Sequence, residues 1–146
     1  MKSKDDRAVE MMAAGANCAQ AVLCAFCDEL GLEKGKAFKL ATGFGAGMGR
    51  KQEVCGAVTG GIMALGLRHG MAEEGDKEAK EATYRLTREL MARFTSEFGS
   101  FLCRELLPGC DLSTQAGHDK YKEEGLSEKV CRPAVRGAIR IVKELL

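Results

Sequence analysis

The chain has 146 residues, 45% of them apolar and 29% charged, with a net charge of +1. That is enough chain for one domain with its own core, and near-neutrality provides no basic field for nucleic acid and no acidic one for a cationic partner. Aromatic residues make up only 5% and tryptophan is absent, which argues against a stacking platform for bases or sugars.

The opening Met-Lys-Ser-Lys-Asp-Asp-Arg is charged and leads into no hydrophobic signal core. No uninterrupted apolar run reaches membrane-spanning length. A reducing cytoplasm is therefore expected, where cysteines serve as ligands, catalysts or buried thiols rather than structural disulfides. The odd count of seven also fits a complete disulfide framework poorly.

Helical spacing dominates, and no segment alternates as a strand does. Residues 4 to 14 predict a short amphipathic helix with Val9 and Met12 inward. Residues 18 to 30 are nearly all apolar and predict a central helix ended by Gly31. Residues 34 to 42 give a third helix. From Gly43 to Arg50 glycine falls at every second position, which reads as a loop. Residues 55 to 68 predict a fourth helix closed by Gly70. Residues 76 to 98 predict a long charged one with Tyr84, Leu86, Leu90, Met91 and Phe94 buried. A short helix over about 101 to 107 stops at Pro108-Gly109, residues 108 to 127 read as a polar loop, and 132 to 146 form a final helix carrying Val135, Ile139, Val142 and Leu146. The expected fold is all-α: a compact single-domain bundle of about six helices with a glycine-rich loop, covering residues 1–146.

Four of the cysteines fall where a helix begins. Asn17 is a good N-cap for a helix opening at Cys18. Ser100 is placed to cap one holding Cys103 in its first turn. Cys131 stands two residues before Pro133, which favours a first turn. Cys55 follows the glycine loop and opens an apolar run. The unpaired N–H groups and partial positive charge of a helix start lower a thiol's pKa. Four such thiolates suit an iron–sulfur cluster or a tetrahedral metal, and equally a thiol–disulfide couple.

The remaining chemistry is weaker. Cys24 and Cys27 form a C-x-x-C on one helical face, in mid-helix among Ala, Leu and Phe; they read as core filler, with a secondary ligand pair or redox couple as the functional alternative. Cys110, after Pro108-Gly109, reads as an exposed thiol or a contributor close to Cys103. Gly56 and Gly60 lie four apart and allow a helix or a cofactor close to the backbone. The loop glycines Gly45, Gly47 and Gly49 offer N–H groups to cluster sulfurs or an anion, while their position after a helix weakens a dinucleotide reading. Arg50, Glu53, Arg104 and Arg132 flank cysteines and read chiefly as solvated charges able to steady a thiolate. His69 suits a helix C-terminus, and His118 reads as solvated loop.

Taken together, Asn17-Cys18-Ala19-Gln20-Ala21-Val22, Gly43-Phe44-Gly45 through Met48-Gly49-Arg50, Cys55-Gly56-Ala57 with Gly60, Cys103-Arg104-Glu105-Leu106 and Cys131 resemble the C_GCAxxG_C_C family of redox-active proteins. The resemblance covers nearly the whole chain, although the family's Gly-Cys-Ala is Cys-Gly-Ala here. It implies that Cys18, Cys55, Cys103 and Cys131 are the family's four and that they carry a metal or iron–sulfur centre. The related split-Soret cytochrome c domain, a dimer, points the same way; its haem attachment motif is absent from this chain, so a homodimer without covalent haem is expected. Gly45, Gly47, Gly49 and Gly56 would then line the cofactor. The expected function is electron transfer to a partner oxidoreductase. A metal-free thiol–disulfide protein, or a non-catalytic metal-binding or sensing dimer, is the alternative.

Overall fold

Local capping decides where most of the helices begin. In the computed structural model, which describes residues 2–146, these are α1 Lys4–Ala13, α2 Cys18–Ala25, α3 Cys27–Leu30, α4 Lys34–Ala41, α5 Gly56–His69, α6 Lys77–Phe98, α7 Cys103–Leu106, α8 Gln115–Glu123 and α9 Arg132–Leu145. The side chains of Ser3, Asn17, Glu33, Asp76 and Thr114 each accept from backbone N–H groups of the helix they precede. At α2 the cap is reciprocal: Gln20 N–H donates to Asn17 Oδ1 and Asn17 N–H to Gln20 Oε1, both at 2.9 Å. Gly31, at φ 67°, closes α3.

The helices form one all-α domain around α5. Glycine lets α5 lie unusually close to its neighbours: a Cβ on Gly60 would stand 2.6 Å from the Ala19 carbonyl oxygen, and one on Gly56 2.9 Å from the Ala19 nitrogen. On another face of α5, Gly61 makes room for Leu90 of α6 and Val142 of α9. Phe26, Phe94, Leu23, Leu65, Leu90 and Ile139 are fully buried, each stabilising the fold by about 1.5–3 kcal/mol. Ion pairs such as Arg136 with Asp5 and Asp6, at 2.7 Å, are half-exposed and are worth about 0–1 kcal/mol. Burial therefore holds the bundle, and the charges trim its surface.

The all-α expectation is met, with local corrections. Ala8 is the buried residue of α1, with Met11 and Met12 packed beside it, whereas Val9 is half-exposed. The long apolar helix breaks at Phe26 (φ −106°, ψ 3°), dividing it into α2 and α3. Tyr84 is 51% exposed, so the inward stripe of α6 runs through Leu86, Leu90, Met91 and Phe94. The segment read as polar loop contains α8, whose Thr114 cap and apolar contact through Tyr121 outweigh its polar composition. Ser100 accepts from Leu102 N–H at 3.0 Å, two residues too early to cap α7, whose cap position is Leu102. No helix is long and apolar enough to cross a membrane among the described residues.

These contacts make a pair of opposite predictions on one helix. Gly60→Ala forces a Cβ into the α2 backbone and should destabilise the protein by about 1–3 kcal/mol. Gly66→Ala, where a Cβ meets nothing within 4 Å, should stabilise it by about 0.5–1 kcal/mol. Denaturant melts of the two variants check both signs.

Candidate redox centre

Four separate elements deliver the helix-start cysteines to one end of the bundle. Cys18 is the first residue of α2, Cys55 caps α5, Cys103 opens α7, and Cys131 ends a π-helical turn, Ser127–Cys131, that runs straight into α9. Cys55 and Cys103 are set side by side by a single antiparallel bridge between Val54 and Leu102. Cys55 N–H donates to Phe101 O at 2.8 Å and Cys103 N–H to Glu53 O at 2.7 Å. The Gly56 backbone lies against Cys18 Cβ, which places Cys55 beside the start of α2. Cys18 and Cys131 stand near enough for each thiol to shift the other's pKa in the opposite direction.

The glycine loop is built with left-handed backbone. Residues 46 to 50 have φ of 53°, 67°, 70°, 58° and 68° in succession, and Gln52 adds another at 55°. For Ala46, Met48, Arg50 and Gln52 this costs about 1–2 kcal/mol apiece, so surrounding contacts must hold it. Gln52 N–H donates to Ala46 O at 3.1 Å and Glu53 N–H to Gly47 O at 2.9 Å. The buried Gln52 side chain donates to Cys110 O at 2.9 Å and accepts from Leu112 N–H at 3.0 Å. It thereby ties the loop to the chain after Cys103. Strain of this kind collects at functional sites, and here it sets Ala46 and Arg50 on the wall of a cavity beside Cys18.

That cavity, about 310 Å³, is lined by Cys18, Cys131, Tyr121, His118 and Arg50, with Asn17, Ser127 and apolar residues completing it. Cys18 and Cys131 are half-buried on its wall, while Cys55 and Cys103 are buried behind them. Tyr121, from α8, donates its hydroxyl to Cys131 Sγ at 3.3 Å. Neither Tyr121 nor Gln52 stands out in the sequence, because both contacts depend on distant segments meeting. His118 lines the cavity, correcting its reading as solvated loop. Arg104 pairs with Glu53 at 2.5 Å and Arg132 with Glu128 at 3.5 Å, which leaves Arg50 as the arginine on the cavity wall. His69, at the end of α5, meets Leu145 O at 3.2 Å.

Helix starts do not make four thiolates. Burial pushes Cys55 up from the ordinary 9.0 to about 11 and Cys103 to about 12. Cys18 is raised well above the ordinary value by donating to Cys131 and by burial. Cys131 alone is lowered, to about 7, because Cys18 and then Tyr121 donate to it against the opposing effect of burial. One sulfur holds the negative charge and its neighbours keep their protons.

Other candidates are placed as follows. Cys110 is buried, donates to Gly117 O at 3.3 Å and packs with Cys103, so the exposed reading does not hold. Gly45, Gly47 and Gly56 back onto Asn17, Gln52 and the start of α2, so protein fills the space a cofactor would use there. The Gly45 and Gly49 N–H groups donate to Thr42 O and Gly43 O. Sulfur donors suit a thiophilic metal, yet among the described residues no three His, Cys, Asp or Glu side chains stand together as a metal-holding group. The donors fit in kind and their present arrangement does not.

The electrostatics predict a pH profile. Alkylation of Cys131 by iodoacetamide should rise as pH passes through about 7, when the thiolate forms, and Tyr121→Phe should move that midpoint upward. Site-resolved mass spectrometry at several pH values reads both.

No curated protein and no solved structure matches the chain. A family model described as "Putative redox-active protein (C_GCAxxG_C_C)" matches residues 16–145. The match begins just before the Asn17 cap and ends with α9, so it takes in every cysteine at the cavity and behind it. The chain belongs to the C_GCAxxG_C_C family.

Proposed function

We propose that this protein is a thiol–disulfide redox protein in which Cys131 attacks and Cys18 resolves. The observation that carries the reading is the Cys131 sulfur, which accepts from both Cys18 and Tyr121 at the wall of an open cavity. A thiolate near pH 7 combines a useful charged fraction with retained nucleophilicity. Cys131 thiolate attacks one sulfur of a disulfide RSSR and expels RS⁻. The Cys18 proton passes to that leaving thiolate, giving RSH. Cys18 sulfur then attacks Cys131 in the mixed disulfide and expels the second RS⁻, leaving Cys18–Cys131 oxidised and RSSR reduced by two electrons. The buried Cys55 and Cys103 stay protonated beside the pair.

A second reading has Cys18, Cys55, Cys103 and Cys131 holding an iron–sulfur cluster or another thiophilic metal for electron transfer to a partner protein. What favours it is that the four sulfurs lie near enough for a charge on one to raise the pKa of its neighbours. It requires the four segments to close further around the metal. A cytoplasmic setting and a homodimer belong to either reading.

The two separate experimentally on protein purified without oxygen. Under the first, Cys131→Ser abolishes oxidation of Cys18 by a small disulfide, and Cys18→Ser accumulates a mixed disulfide at Cys131. Stoichiometric iron with acid-labile sulfide, lost in Cys55→Ala, would instead establish the second.

A further inference from the structure

A second thiol pair lies on the opposite side of α2 from Cys18. Cys24 lies close enough to help raise the Cys27 thiol's pKa, behind the larger effect of burial, and Cys27 donates to Leu23 O at 3.8 Å. They line a separate cavity of about 370 Å³ that shares no residue with the one at Cys131. Cys24 is half-buried on its wall and Cys27 is 4% exposed. Two cations, Arg7 and Lys34, and two carboxylates, Glu10 and Asp28, surround the pair.

The backbone suits bond formation here. In an unbroken helix, residues three apart hold their Cβ atoms about 5–6 Å from each other, and a disulfide needs about 3.8 Å. The helix is not unbroken: it stops at Ala25, turns at Phe26 and restarts at Cys27. The discontinuity falls between the two cysteines, so the fixed Cβ spacing of an unbroken helix does not bind them. Core filling does not ask for a helix break or an open cavity at the same two sulfurs.

We propose that Cys24 and Cys27 are a second thiol–disulfide site, whose substrate is a small peptide-type disulfide bearing both carboxylate and ammonium groups. Cys24, the accessible sulfur, attacks as thiolate and expels one RS⁻. Cys27 loses its proton to that thiolate, attacks Cys24 and expels the second, so one RSSR becomes two thiols as Cys24–Cys27 is oxidised. The mixed charges of the cavity wall match a zwitterionic substrate better than a neutral one. This inference is independent of the chemistry proposed for Cys131.

The test titrates reduced Cys131→Ser protein with oxidised glutathione, quenches with acid, alkylates and maps the cysteines by mass spectrometry. The expected product is a Cys24–Cys27 disulfide, formed faster than with the uncharged hydroxyethyl disulfide. Adding Cys27→Ser should leave a lasting glutathione adduct on Cys24. The same map on the wild-type chain reads the pair whatever the variant's folding. Cys24 and Cys27 both alkylated at every glutathione ratio, or an adduct on Cys24 that persists with Cys27 intact, would overturn the site. Equal rates with the uncharged disulfide would overturn the assigned substrate class.

Discussion

The cysteine end of this protein depends on how closely α5 lies against α2. Gly56 and Gly60 bring the α5 backbone to within a Cβ's reach of Ala19, and with it Cys55 to the start of the helix that Cys18 opens. The Val54–Leu102 bridge then adds Cys103, and the continuous turn into α9 adds Cys131. Bulkier residues at those two glycines would separate the helices and disperse the sulfurs. The glycines stand where they do because helix packing needs them.

Once gathered, the sulfurs answer to burial more than to helix ends. A helix terminus is worth about 0.3–1 kcal/mol to a nearby charge, while each unit of pKa corresponds to about 1.4 kcal/mol. Burial raises Cys55 and Cys103 by more than one unit, so desolvation wins at both. Cys131 escapes because two donors, Cys18 and Tyr121, aim at its sulfur. Its backbone continues from the π-helical turn into α9, so its low pKa owes little to a free helix start. The strained loop at Ala46–Arg50 has a related part, held by Gln52 so that one wall of the cavity stays in place.

Much of this was legible in the sequence and some was not, for physical reasons. Asn17 marks the start of α2 because an N-cap is a local contact, and the structure completes it with Gln20. The heptad-like apolar residues of α9 likewise mark its buried face without reference to anything distant. The role of Tyr121 was hidden, since α8 is polar in composition and its one useful contact lies across a cavity. The four cysteines could be selected by position, but their charge states could not, because desolvation depends on which segments end up stacked over them. Phe26 shows the remaining limit: nothing in an apolar run announces that its helix breaks in the middle.

The redox role proposed for Cys18 and Cys131 can be read directly from the disulfides that form. The most direct measurement is a disulfide map of wild-type protein, purified without oxygen and exposed to one equivalent of a small disulfide. Cys18 joined to Cys131, with Cys55 and Cys103 still free, is the predicted result. A map in which Cys131 stays reduced, or in which Cys55 or Cys103 is linked first, would contradict it.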